Sequence, residues 1–440
     1  MRRNLSLLLV LTIVFTNLLG IANPSFAYNN EPNILAQYAV LMDYETGKVL
    51  YNKNGNQKLY PASTTKAWTA YLVIKHVDDL NEVITIKDLP HITGSSMYLR
   101  NGESFTVKEL LDALLVHSCN DVAYVLAKHV SGSIDKFAEL MNSEAKKVGA
   151  QNTHFNNPHG LPDDNHYTTA YDMALMSRKA MSNPTFSSIV KMKYVKYPPT
   201  EAYPFERHFK NTNKFLTSNE KINYKGKQTD IRYDIVDGLK TGFTDKAGKC
   251  LLSSATKNDM RVIAAVFKSN GNDLYTDSRT LLDYGFDNFY SSTVVKKESY
   301  RDEKNVLFTK QKTLIYQPKH SYSVVLPNGI SQSEYTTKVK LDKIKLPIKT
   351  GDKVGTLKVY ADNKLESSID LIAQNNLNSS FSFLTENVLL INLIKLILII
   401  GLVFVLLVVY VFIKKARRRK SISKNVIDIN RKKIKRNKRR

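Results

Sequence analysis

Apolar and polar positions change their spacing several times along the chain, and each change predicts an element. Residues 36–43 and 48–51 read as two strands joined by a turn at Glu45-Thr46-Gly47. Residues 67–74 are apolar too continuously for a surface helix and predict a buried central one. Thr106 and Glu109 form a capping box that opens a helix with Leu110, Leu111, Leu114 and Leu115 on its apolar side. Phe137, Leu140, Met141, Ala145 and Val148 mark a further helix, closed by Gly149. Residues 250–255 and 261–267 predict strands around a turn at Lys257-Asn258-Asp259. Strands at both ends with helices between them make residues 28–290 an α+β domain, a sheet covered by helices.

From residue 291 to 375 the texture turns to short β-rich runs at 306–308, 313–316, 323–326, 336–341, 353–360 and 367–373. Turn residues such as Pro327-Asn328-Gly329 and Thr350-Gly351-Asp352 separate them, which predicts a small β-sandwich. Residues 376–387 are mostly polar and read as a tether. Residues 388–413 are almost wholly apolar, long enough for a transmembrane helix, which needs about 20 residues. The first 27 residues combine Arg2 and Arg3, an apolar stretch and a small-residue site ending at Ala27, the pattern of a secretory signal peptide.

Charge sharpens the topology. Residues 414–440 hold fifteen Lys or Arg against one acid, Asp428. Of the formal net charge of +24, only +7 falls on residues 28–387. A basic run is also a nucleic-acid signal, but its place directly after an apolar span favours a cytoplasmic tail against anionic lipid, with the bulk of the chain outside. No nucleic-acid partner is expected. Two cysteines, Cys119 and Cys250, are too few for a disulfide scaffold and lack zinc-ligand spacing, so both are expected as buried thiols.

Three short motifs carry candidate chemistry. Ser63-Thr64-Thr65-Lys66 stands at the start of the buried helix, where residues three apart share a face, so Lys66 reaches the Ser63 hydroxyl. Burial and neighbouring positive charge lower a lysine's pKa enough to make it a base. Ser118-Cys119-Asn120 lies between two helical segments and offers a hydroxyl relay and an orienting amide. Lys240-Thr241-Gly242 precedes the Cys250 strand and offers a cation, a hydroxyl donor and close backbone access. Each is weak alone. In this order, 55 and then 122 residues apart, they match the set shared by class A β-lactamases and penicillin-binding proteins.

The resemblance is closest to the low-molecular-mass D,D-carboxypeptidases among penicillin-binding proteins, over roughly residues 34–375. It rests also on Pro61-Ala62, Gly94-Ser95-Ser96-Met97, Asn157-Pro158-His159-Gly160-Leu161, Tyr167-Thr168-Thr169-Ala170-Tyr171-Asp172, Asp237-Gly238-Leu239, Phe243-Thr244 and Lys353-Val354-Gly355-Thr356-Leu357. It implies a transpeptidase-like domain, an antiparallel sheet with helices on both sides, and a serine D-Ala-D-Ala carboxypeptidase acting on peptidoglycan stem pentapeptides without metal or cofactor. By the same resemblance, Ser63 forms the acyl-enzyme and Lys66 takes its proton. Ser118 and Asn120 move the proton and position the peptide. Lys240 and Thr241 hold the substrate carboxylate, and Gly242 lets the strand approach. The amides of Ser63 and Phe243 form the oxyanion hole. Two positions depart from the pattern: Cys119 replaces a Gly or Ala, and Leu274 stands where some relatives have Arg.

Other readings are weaker. His117 and His159 invite a Ser-His-Asp triad, but Lys66 supplies the base and no G-x-S-x-G turn is present. Trp68 reads as a core aromatic, and Asp163-Asp164 as a solvated turn rather than a glycosidase pair. A class A β-lactamase would place a deacylating glutamate after the second motif, and residues 151–171 contain none. β-Lactams are therefore expected as slowly released inhibitors. A D,D-endopeptidase would use the same residues, and a wall-binding scaffold would not need them intact.

Overall fold

The computed structural model describes residues 31–330, 335–380 and 387–437. The signal-peptide region at residues 1–27 and part of the tether, residues 381–386, lie outside the described residues. The chain divides into two compact units, one running to Thr293 and taking in Ser323–Gln332, the other formed by Val294–Tyr322 and the chain from Ser333 onward.

The first unit is built on five antiparallel strands, β1 (Tyr38–Asp43), β2 (Val49–Lys53), β3 (Val236–Thr244), β4 (Gly248–Lys257) and β5 (Met260–Ser269). Their order in the sheet is β2-β1-β5-β4-β3, so β3 is an edge strand. Successive strand residues point to opposite faces, and both faces are buried here. Val40, Met42, Ile263, Ala265 and Phe267 pack into one apolar core. Their neighbours Ala39, Leu41, Val262, Ala264 and Val266 pack into a second. The near-continuous apolar runs of β1 and β5 follow from this double burial.

Six helices serve the first core: α1 (Thr65–His76), α2 (Val107–Val116), α3 (Asn120–Ser131), α4 (Ile134–Lys147), α5 (Ala170–Met181) and α6 (Pro184–Val190). Helix α7 (Asp273–Asn288) covers the opposite face with Leu274, Leu281 and Leu282. Helix α1 is buried from Thr65 to Val73, as its unbroken apolarity predicts. Trp68 is core, its Nε1 donating to the Met141 carbonyl at 3.1 Å. The capping box opens α2: Thr106 Oγ1 accepts from the Glu109 amide, and the Glu109 carboxylate accepts from the Thr106 amide at 2.8 Å.

The second unit carries an antiparallel sheet of β6 (Asp302–Asn305), β7 (Thr313–Pro318), β8 (Tyr335–Leu341), β9 (Lys353–Ala361) and β10 (Lys364–Ala373), ordered β6-β7-β10-β9-β8. Leu314, Leu357, Val359, Ile369 and Leu371 form its core. The strand expected at 306–308 is displaced. Pairing with β7 falls on the polar residues 302–305, while Leu307 and Phe308 are exposed in the following loop. Ladder pairing outweighed hydropathy there. A single long helix, Val388–Asn437, closes the described chain. Its Val388–Lys420 portion, with a mean hydropathy of 3.4 in its most apolar window, is long and apolar enough to cross a membrane.

Candidate active site

All three motifs meet at the edge strand β3. A short 3₁₀ turn, Ala62–Thr64, delivers Ser63 directly into α1. Ala62 is left-handed, φ +48°, and so is Ser118, φ +72°. Non-glycine residues of this kind are costly and concentrate at functional sites. Gly160, φ +86°, packs so closely on this turn that a Cβ would fall 1.8 Å from the Ala62 carbonyl oxygen. Gly242 lets β3 press against it from the other side, where a Cβ would lie 3.1 Å from the amide nitrogens of Ser63 and Thr64.

Lys66 Nζ is 2.8 Å from Ser63 Oγ and donates to the His159 carbonyl at 2.7 Å. Both Lys66 and Lys240 are fully buried. Burial, and then the nearby Lys240 charge, hold Lys66 well below the usual lysine range. Burial pulls Lys240 down to about 7. Desolvation penalises the ammonium form, and two adjacent cations penalise each other. The arrangement therefore favours a neutral amine at Lys66, able to accept the Ser63 proton.

Ser118 and Asn120 flank Cys119 at the α2–α3 junction, where Cys119 occupies the N-cap position of α3 without a side-chain capping bond. Asn120 Nδ2 donates to the Thr93 carbonyl at 2.6 Å, while Oδ1 is buried with no hydrogen-bond partner among the described residues. The 93–99 loop is held from both sides. Asp121 accepts from the amides of Met97 at 3.0 Å and Leu99 at 3.1 Å and from Ser96 Oγ at 2.6 Å. Buried Arg207, paired with Glu103 at 2.8 Å, donates to the Met97 carbonyl. Across the site, Thr212 and Thr241 share a hydroxyl hydrogen bond of 2.6 Å. The cavity these residues enclose holds about 550 Å³ and is lined by Ser63, Ser118, Asn120, Thr241, Gly242 and Phe243, with Gly160, Leu161 and Thr244 at one end. Leu274 lines it too, beside Lys214 and Lys249.

Of the motif residues expected to carry chemistry, Ser63, Ser118, Asn120, Thr241, Gly242 and Phe243 line this cavity, while Lys66 and Lys240, like Cys119, are buried and do not. Lys240 Nζ donates to the Thr241 carbonyl at 3.1 Å. Sequence patterns did not reveal Asp121, Arg207 or Thr212, and they gave Gly160, which stands in the family-like run 157–161, no role. Nor did they reveal His166, whose buried ring bonds Thr65 Oγ1 at 3.0 Å and accepts from the Asn156 amide at 3.0 Å. Burial drives the pKa of His166 down to about 4 and that of His159 to about 3, so both are neutral. His159 meets the site through its carbonyl, not its ring. His117 stacks on Phe209 at 4.3 Å. Cys119 and Cys250 are buried free thiols. Among the described residues no His, Cys, Asp and Glu cluster of three or more could hold a metal.

Known proteins share this framework. The family described as D-alanyl-D-alanine carboxypeptidase matches residues 26–271, and the C-terminal domain of penicillin-binding protein 5 matches residues 289–379. D-alanyl-D-alanine carboxypeptidase DacF of Bacillus subtilis is 32% identical over 354 residues, covering 78% of this chain and 86% of that protein. DacC of Escherichia coli K12 is 31% identical, covering 80% and 86%. Penicillin binding protein 5 from Haemophilus influenzae superposes with a TM-score of 0.62 at 29% identity, covering 80% of this chain and 99% of that one.

Proposed function

The chain belongs to the D-alanyl-D-alanine carboxypeptidase family of serine peptidases, and from that premise we propose that Ser63 is the residue it acylates. The observation that carries this is the 2.8 Å approach of a buried, deprotonation-prone Lys66 to the Ser63 hydroxyl. Ser63 Oγ attacks the carbonyl between the two terminal D-alanines while its proton passes to Lys66 Nζ. The Ser63 and Phe243 amides hold the developing oxyanion. Ser118 returns the proton to the leaving amine, and the free Oδ1 of Asn120 accepts from the peptide N–H. Lys240 and Thr241 hold the terminal carboxylate. Water then attacks the acyl-enzyme, regenerating Ser63 and releasing the shortened stem peptide.

The same reading makes β-lactams inhibitors, because they acylate Ser63 and no glutamate in 151–171 activates a deacylating water. We also infer a signal peptide at residues 1–27, a peptidase domain at 28–290, a β-domain at 291–375, a tether at 376–387, a span at 388–413 and a cytoplasmic tail at 414–440 against anionic lipid. Incubation of the purified chain with labelled penicillin and with a pentapeptide ending in D-Ala-D-Ala tests the chemistry. Stable labelling and D-alanine release, both lost in Ser63→Ala, are expected. Rapid penicillin turnover would point to a β-lactamase, and labelling that survives Ser63→Ala would sink the assignment.

A further inference from the structure

Strand β3 has no strand partner on its outer edge among the described residues. An extended peptide can add to such an edge. With the terminal carboxylate at Lys240 and Thr241 and the scissile carbonyl beside Gly242 and Phe243, the order of residues along β3 fixes the peptide's direction. Its N-terminal side must run past Thr244 toward the turn carrying Lys246. Thr244 ends the strand, and Asp245, Lys246 and Ala247 form the turn into β4.

A second pocket of about 440 Å³ opens there, and its walls extend the segments that build the active site. Leu59 and Tyr60 lead into Ser63, Asp164 follows Leu161, and Lys246-Ala247 follow Thr244. Lys246 pairs with Asp164 at 2.9 Å and lies 5.3 Å from the Tyr60 ring. Lys58 Nζ sits 4.0 Å over the Tyr167 ring. Lys268, exposed near the end of β5, completes a lining of three lysines against one aspartate. Lys58 and Lys268 have no acidic partner among the described residues, so the pocket holds two uncompensated cations between flat aromatic walls.

We propose that this pocket is a subsite for the acidic part of the stem peptide, with Lys58 and Lys268 receiving the free α-carboxylate of its γ-linked D-glutamyl residue. That residue lies two positions before the D-alanine that acylates the enzyme. An extended chain of two residues spans on the order of 7 Å, enough to carry that carboxylate from Phe243 past Thr244, the last strand residue, toward the turn. The inference rests on the assignment of Ser63, Lys240 and Thr241 above.

The test compares L-Ala-γ-D-Glu-L-Lys-D-Ala-D-Ala with the same peptide amidated at the glutamyl α-carboxylate, using the full chain in detergent and reading released D-alanine. The acid form should have a kcat/KM about five- to tenfold higher, expressed through KM and shrinking with added salt. In Lys58→Gln/Lys268→Gln the acid-to-amide ratio should fall below about twofold, with each single variant intermediate. Equal handling of the two peptides by the unaltered chain, or a double variant that keeps the full preference, overturns the proposal. Failure of the underlying assignment shows separately, as penicillin labelling that persists in Ser63→Ala.

Discussion

A single methyl group at Gly160 tests whether the turn carrying Ser63 is held by contact with the 157–161 segment. In Gly160→Ala the new Cβ falls 1.8 Å from the Ala62 carbonyl oxygen and 2.9 Å from Thr65 Oγ1. Real Cβ contacts begin at about 3.0 Å, so one of the two backbones must retreat by about 1.2 Å. Either retreat damages chemistry, because Ala62 precedes Ser63 and His159, whose carbonyl holds Lys66 at 2.7 Å, precedes Gly160. The left-handed backbone adds about 1–2 kcal/mol. Gly102 isolates that second contribution: its φ is +94°, yet nothing lies within 4 Å of a Cβ there. Gly102→Ala should therefore lose about 1 kcal/mol in denaturant unfolding and acylate with labelled penicillin at an unchanged rate. Gly160→Ala should lose a further 1–3 kcal/mol or so from overpacking. Its second-order acylation rate should fall about 100-fold, the scale of a 1 Å misplacement of reacting groups. If Gly160→Ala matches Gly102→Ala in both measurements, the turn is not positioned by this contact.

Other outcomes follow from the same geometry. Acylation by penicillin should fall on acidification as Lys66 takes up a proton, and Lys240→Gln, which removes a charge that lowers the Lys66 pKa, should move that acidic limb to higher pH in a pH–rate profile. For peptide substrates kcat/KM should also fall above pH 7, where Lys240, held down to about 7 by burial, loses the charge proposed to meet the carboxylate. Asp121→Asn weakens the hold on the Met97 and Leu99 amides and should cost about 1.5–3 kcal/mol in thermal or denaturant unfolding, with slower acylation. Thr106→Ala, which breaks the capping box, should cost about 1 kcal/mol and leave acylation unchanged. On the proposed span at 388–413, ending the chain after residue 387 should move the protein from the membrane fraction to the soluble one.

What the sequence made legible is what local chemistry dictates. Ser63 and Lys66 are one helical turn apart, so their contact needs no knowledge of the tertiary fold. The Thr106–Glu109 box and the doubly buried strands β1 and β5 are likewise written in short-range spacing. Asp121, Arg207 and Thr212 were illegible, and the role of Gly160 within its family-like run was hidden, for the opposite reason. Their partners are remote or belong to backbone: Gly160 meets Ala62, Arg207 meets Met97, and Thr212 meets Thr241. A glycine required by a neighbour's carbonyl leaves no periodic trace. The strand at 302–305 shows the same limit, since its residues are all polar and exposed and only pairing with β7 makes it a strand.

The placement of the two lysines follows from the edge position of β3. A buried ammonium needs either a partner or a reason to lose its proton. No carboxylate hydrogen-bonds either Nζ among the described residues; Lys66 has the Ser63 hydroxyl and a carbonyl, and Lys240 has a carbonyl. Like charges in one dry site cannot both be retained cheaply, so the pair favours one neutral amine and leaves the other to meet an incoming anion. That division is consistent with the proposed roles, Lys66, the one touching Ser63, as base and Lys240 as carboxylate partner. Because Lys240, Thr241, Gly242, Phe243 and Thr244 are consecutive on a strand with no outer partner among the described residues, the proposed contacts to carboxylate, hydroxyl and oxyanion would be set in series. On that proposal the same linear order would direct the rest of the stem peptide toward the turn carrying Lys246.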